Sequence, residues 1–123
     1  MRHMSFMLTT RQVREGTKDV TRRVGWWFLR PGDVLWAVEK AQGLKKGERV
    51  TRIRRIRIIS TRRERLDQMT QDPAYGVDEV RREGFAGEMT PSDFVAFFSS
   101  TMGCAPADDV NRIEFAYVTG AQA

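Results

Sequence analysis

The sequence predicts an α+β domain in which short helices flank a small, strongly curved β-sheet. Three observations carry this expectation. Segments with two-residue alternation, at 34–38, 49–60 and 111–118, are interleaved with short helical segments closed by glycine, at 10–15, 77–83 and 91–102. In the long segment Ile56 and Ile58 alternate with Arg55 and Arg57, but Ile53 is out of phase. One extra residue near Arg54 restores the phase, which is what a β-bulge supplies, and a bulge bends the strand that carries it.

Taken in order, residues 5–8 are a short first strand. Thr9 or Thr10 then caps a helix that runs to Glu15, and Gly16 stops it in the left-handed conformation. Residues 20–23 are extended, and Arg30-Pro31-Gly32-Asp33 has the composition of a turn before the apolar strand 34–38, which carries Trp36 into the core. Residues 43–48 form the tip between that strand and the next. The stretch 70–76 is polar, Asp72-Pro73 marks a loop, and 77–83 is a short helix stopped by Gly84. Thr90-Pro91-Ser92-Asp93 joins a capping threonine to a proline at the first helical position. The helix it starts carries Phe94, Val95, Phe97, Phe98 and Met102 as one apolar stripe, read as core and not as a platform for stacking bases. In the closing strand Ile113, Phe115 and Tyr117 alternate with Arg112, Glu114 and Ala116.

A chain of 123 residues is expected to be one domain with one core, frayed at about 1–4 and 119–123. No apolar run approaches the length of about 20 residues that spans a bilayer, and residues 1–8 lack the features of a signal peptide. A soluble, cytoplasmic protein with no membrane partner is the expectation. The one cysteine, Cys104, cannot form an internal disulfide, which suits a reducing cytosol. No His, Cys or Asp set has metal-ligand spacing, so neither metal nor cofactor is expected.

The formal charge of +5 is unevenly spread. Between Arg49 and Arg65 lie Arg52, Arg54, Arg55, Arg57, Arg62 and Arg63, opposed within that span only by Glu64. Arginine presents a planar fork that fits phosphate and stacks on bases, so the cluster reads either as an RNA-binding face or as the solvated side of a long strand.

The densest chemistry lies in Gly16-Thr17-Lys18-Asp19-Val20-Thr21-Arg22-Arg23, which packs an amine, a hydroxyl and two guanidinium groups in front of Trp26-Trp27-Phe28. On a straight strand, positions i and i+3 point to opposite faces. Lys18 can therefore take a proton from Thr21 only if the amine is desolvated and the chain turns at Asp19. Arg23 reads as a binder of phosphate or a base carbonyl, or as the partner of Asp33 or Glu39. Trp26, Trp27 and Trp36 can stack on a base, although neighbours on a strand face opposite ways, so at most one of Trp26 and Trp27 meets a ligand.

The pattern Gly16-x-Lys18-x-x-Thr21-x-Arg23, followed by Pro31-Gly32-Asp33, Glu83-Gly84-Phe85 and Ile113-Glu114-Phe115, resembles the ASCH domains, relatives of the PUA fold, over about residues 9–118. Threonine at position 21, where many ASCH proteins carry glutamate, is similar to the small bacterial amidohydrolases that remove the N4-acetyl group from acetylcytidine. The chain differs from them in being longer between strands and richer in arginine. The resemblance implies a small curved β-barrel with flanking short helices. It also implies a catalytic set of Lys18, Thr21 and Glu83. Thr21 would be the nucleophile and Lys18 its proton acceptor, while Glu83 would orient the amine or protonate the departing nitrogen. Arg23 and Trp26 then fall to the substrate, and Arg52, Arg54, Arg55 and Arg57 to nucleic acid. The expected function is recognition of a cytosine-like base, as a modified nucleoside or in RNA, with hydrolysis of an N4-acyl amide. The alternatives are a non-catalytic RNA- or modified-base-binding module and a metal-independent ribonuclease using Lys18 as base.

Overall fold

The longest strand, β4 (Arg52–Arg65), is the element against which the others are arranged. In the computed structural model, which describes residues 1–119, it lies third in a five-stranded sheet of order β1-β3-β4-β5-β2. The other strands are β1 (His3–Ser5), β2 (Val20–Arg23), β3 (Val34–Val38) and β5 (Asp109–Tyr117). β1 runs parallel to β3, and the remaining pairs are antiparallel. Four helices complete the mixed α+β fold: α1 (Thr10–Glu15), α2 (Gln68–Gln71), α3 (Pro73–Val80) and α4 (Pro91–Met102). The tail expected at 119–123 falls, apart from Thr119, outside the described residues.

Both ladders of β4 are bulged. Val38 faces Arg52 while Ala37 faces Arg54, so Ile53 is the extra residue that the phase error in the sequence requires. A second shift, from Ile58 opposite Phe115 to Ser60 opposite Glu114, leaves Ile59 over. The sheet is open, with β1 and β2 as its edges. Its curvature nevertheless brings them near each other, for the Arg23 guanidinium at the end of β2 lies 4.8 Å over the ring of Phe6, the residue after β1.

The sheet divides the apolar interior, so the single core expected from chain length is two clusters. Met4, Phe6, Leu35, Ile56, Ile113 and Phe115 pack on one face with Val13 of α1. Leu66, Met69, Val80, Phe94, Phe98 and Val110 form the second cluster, under α2, α3 and α4. Capping follows sequence chemistry at both ends of α4, where Thr90 and Asp93 make a reciprocal capping box and Gly103 takes the left-handed conformation.

Four expectations are corrected. The first strand begins at His3 instead of residue 5, and Met4 is fully buried, in register with Ala37 of β3. Trp36 does not enter the core, because alternation along β3 sends Leu35 and Ala37 inward and turns Trp36 to the opposite face. β4 continues past Ser60 to Arg65. Asp72-Pro73 opens a helix, with the Asp72 carboxylate accepting the Tyr75 N–H at 3.3 Å.

α3 crosses α2 through Gly76, where a β-carbon would stand 1.9 Å from the Met69 carbonyl oxygen. Gly76→Ala is therefore expected to lower stability by about 3 kcal/mol, the upper end for overpacking. The midpoint of urea denaturation checks this.

Candidate functional site

α1 ends at Gly16 with φ 78°, and the chain between it and β2 is held from several sides. The Asp19 N–H donates to the Arg82 carbonyl at 2.9 Å, the Asp19 carbonyl accepts from the Phe115 N–H at 3.0 Å, and the Tyr117 hydroxyl donates to the Lys18 carbonyl. The turn expected at Asp19 is absent, residues 17–19 being irregular, and it is these bonds that fix Lys18 ahead of the strand. Lys18 and Thr21, each 3% exposed, consequently line the same cavity of about 290 Å³.

Glu83 reaches this cavity from a distant part of the chain. Beyond α3 the helix widens into a single π turn, Arg81–Phe85, a local geometry common at functional sites. Gly84 leaves that turn at φ 100°, and a β-carbon there would lie 2.8 Å from Cγ of Gln12 and 3.4 Å from Cβ of Lys18. Only glycine allows both the conformation and the approach. Lys18 Nζ donates to Glu83 Oε1 and to the Glu83 carbonyl, both at 2.8 Å, leaving one of its three N–H donors uncommitted. Burial pushes the Lys18 ammonium below the ordinary lysine range; Glu83 opposes this, and Arg23 and Arg22 reinforce it.

Thr21 and Arg23 form the other half of the polar lining. Arg23 Nε donates to Thr21 Oγ1 at 3.1 Å, which leaves the threonine hydroxyl proton available. Burial pulls the Arg23 guanidinium down to about 10, against the Glu83 charge. Neither Asp33 nor Glu39 pairs with it: Asp33 accepts from the Arg30 N–H and Glu39 pairs with Arg14. No hydrogen bond joins Lys18 to Thr21 among the described residues, the amine being turned toward Glu83.

A network that sequence reasoning missed lies behind these groups. The Arg22 side chain, 0% exposed, donates to Glu83 Oε2 at 2.9 Å, Glu79 Oε1 at 2.6 Å and Glu64 Oε2 at 2.9 Å. Arg112 holds Glu79 with two further bonds of 2.6 and 2.9 Å, and the Tyr75 hydroxyl donates to Glu64 at 2.7 Å. Burial works against the Arg22 charge, but Glu83, Glu79 and Glu64 outweigh it and hold the group above the ordinary arginine range. Burial would raise Glu79, but Arg112 and Arg22 carry it down to about 2. Two signals pointed here: alternation puts Arg22 on the strand face opposite Thr21, and Glu79 precedes Glu83 by one helical turn.

The remaining candidates are not gathered at the Lys18 cavity. Aromatic and aliphatic side chains of Phe6, Phe85, Phe97 and Met102 wall it where tryptophan was expected. Trp26, in a turn at φ 59° with its carbonyl accepting from Asn111 Nδ2 at 3.0 Å, lines a neighbouring hollow of about 350 Å³ that shares Arg23. Trp27 is exposed beneath the Arg63 guanidinium, at 4.1 Å. The arginine cluster is divided. Arg52 and Arg55 lie 4.8 and 5.2 Å from the Trp36 ring, Arg57 is exposed, and Arg54 covers Tyr117 at 4.1 Å near the Lys18 turn.

Among the described residues, no group of three or more His, Cys, Asp or Glu side chains is arranged to hold a metal ion, and no helix is long and apolar enough to cross a membrane. Compared with known proteins, the chain matches no protein-family model, no curated protein and no solved structure.

The Glu79 network makes a prediction about acid. Above its ordinary value of 4.5, Glu79 is ionised in the folded and unfolded chain alike, and its contribution to stability is complete. As pH falls from 4.5 toward about 2, the unfolded chain takes up a proton that the folded one refuses, so stability declines across that window. Chemical denaturation at a series of pH values should show this fall in unfolding free energy.

Proposed function

We propose that this chain is an ASCH-type protein of PUA-like fold that recognises a cytosine-like base and hydrolyses an N4-acyl amide on it. The observation that carries the reading is the buried Lys18–Glu83 pair, anchored from behind by Arg22, in a cavity that Thr21 and Arg23 also line. The approach of the sheet edges at Phe6 and Arg23 supports a nearly closed barrel, with the cavity beside the seam.

The chemistry follows from the donors. An amide carbonyl directed at Arg23 has its developing negative charge stabilised by a guanidinium that is charged at neutral pH and has no carboxylate partner among the described residues. Thr21 Oγ attacks the acyl carbon, its proton passing to the neutral form of Lys18, whose population burial increases. Collapse of the adduct breaks the C–N bond, and Lys18 returns the proton to the departing nitrogen. Water then releases the acyl group as a carboxylic acid. Both Glu83 oxygens accept from cationic donors, so Glu83 orients the amine and does not deliver the proton.

Thr21→Val keeps the shape and removes the hydroxyl. It is expected to leave the melting temperature within a few degrees while lowering release of acetate from N4-acetylcytidine by at least a hundredfold, about the smallest effect of a lost catalytic group. In the unaltered chain the rate should rise with pH through a Lys18 pKa below 10.5, because the base is the deprotonated amine. Mass spectrometry of the products measures both. Intact substrate at every pH overturns the hydrolase reading, and cleaved RNA in a parallel incubation points to ribonuclease chemistry instead.

One observation favours a second reading, a non-catalytic RNA-binding module. Arg52 and Arg55 flank Trp36 on a sheet face that α2, α3 and α4 leave uncovered, and no carboxylate pairs with them or with Arg57 among the described residues. Three arginines neutralising phosphates of a single strand give a slope of about −2 in log affinity against log salt. Fluorescence anisotropy with a short labelled RNA should return that slope, reduced by about 0.7 in Arg55→Ala.

A further inference from the structure

The cavity around Lys18 is lined by two unlike sets of side chains. Lys18, Thr21, Arg23 and Glu83 are polar, while Phe85, Phe94, Phe97, Phe98 and Met102 are apolar. The rings are fixed against one another, Phe85 meeting Phe97 edge-on at 6.2 Å and Phe94 stacking on Phe98 at 6.1 Å. Met102, 45% exposed, stands on the rim with the exposed side chains of Met7 and Leu8. The apolar stripe of α4 is thus only partly core, for Phe97 and Met102 are spent on the cavity wall. A nucleobase placed among these rings would find few partners for its polar edge, whereas an alkyl chain or phenyl ring would fill the space without leaving a hydrogen bond unmade. An acetyl group would leave that wall unused.

Resting on the amide-hydrolase reading of this cavity, we propose that the substrate carries a large apolar acyl group, a medium-length alkyl chain or an aryl ring, seated against Phe94, Phe97 and Met102. Its carbonyl lies at Arg23 and Thr21, and the nitrogen-bearing half of the substrate projects toward the mouth. Thr21 Oγ takes the acyl group as the C–N bond breaks, its proton passing through Lys18 to the departing nitrogen; water then cleaves the acyl-threonine ester, its hydroxyl going to the acyl carbon and its proton back to Thr21. The products are a free amine and an amphipathic carboxylic acid. The acid's carboxylate matches the unpaired Arg23 and its tail matches the aromatic wall, so the same geometry makes the acid a product inhibitor.

Two measurements separate this inference from the reading beneath it. The first is isothermal titration with acetate, butyrate, hexanoate and benzoate, which needs no turnover. Affinity is expected to rise about fourfold per methylene, with benzoate well above acetate, and the gradient to flatten in Phe97→Ala. Met102→Ser, on the exposed rim, is the parallel variant should Phe97→Ala fail to fold. The second is kcat/KM for N4-acetyl-, N4-butanoyl-, N4-hexanoyl- and N4-benzoylcytidine, expected to climb along the same series. Turnover that is fastest on the acetyl compound, with flat carboxylate affinities, overturns the acyl-pocket inference and leaves the hydrolase standing. Graded carboxylate binding with no turnover of any amide supports the pocket and overturns the hydrolase. Flat binding with no turnover overturns both.

Discussion

The buried guanidinium of Arg22 is the interaction on which the rest of the molecule depends. It sits on an edge strand with no exposed side-chain surface and holds three carboxylates that come from separate places: Glu64 at the end of β4, Glu79 in α3 and Glu83 in the π turn. A single arginine can serve three acids because its planar fork directs N–H groups along several lines at once. Removing one member would leave a buried charge without its counterpart, at a cost of about 3–5 kcal/mol, so the set stands or fails together. Its consequence for the cavity is indirect. Arg22 takes one oxygen of Glu83 and thereby presents the other to Lys18.

The position of the network follows from the two-sided sheet. Because side chains alternate across β2, Thr21 and Arg23 belong to the face with Phe6 and Phe115, while Arg22 belongs to the face with Arg112 and the helices. Lys18, Thr21, Arg22 and Arg23 all border the same cavity, but alternation sends the Arg22 guanidinium to the carboxylates of the other face while Thr21 and Arg23 stay beside Phe6. The bulges at Ile53 and Ile59 contribute at longer range, since they bend β4 and so help bring the far edges of the sheet within reach of each other.

Charge and apolar surface meet in the cavity, and each changes the other. Burial depresses the Lys18 ammonium, while the adjacent Glu83 carboxylate limits the depression. Arg23 is the complementary group, a cation that burial weakens but does not neutralise at ordinary pH. The basic surface on β4 is a separate feature, because the arginines around Trp36 lie on the sheet face opposite Phe6 and its neighbours.

Local chemistry was decided by the sequence. The stop of α1 at Gly16, the capping of α4 by Thr90 and Asp93, the turn at residues 30–33, the span of β2 and the extra residue near Arg54 all depend on groups a few residues apart, and the structure agrees with each. Lys18 and Glu83 do pair, an ion pair expected equally of a catalytic set and of a structural salt bridge. What the sequence alone could not decide was which side of the sheet would be covered. The apolar strand 34–38 is expected to carry Trp36 inward, yet Trp36 faces outward because Leu35 and Ala37 hold the inward positions of that strand. Arg22 was passed over as one basic residue among many, and only the arrival of three acids from distant segments makes it the buried centre. Burial of a charge is a property of the partners that surround it, and those partners are brought together by the folded chain and by nothing nearer in sequence.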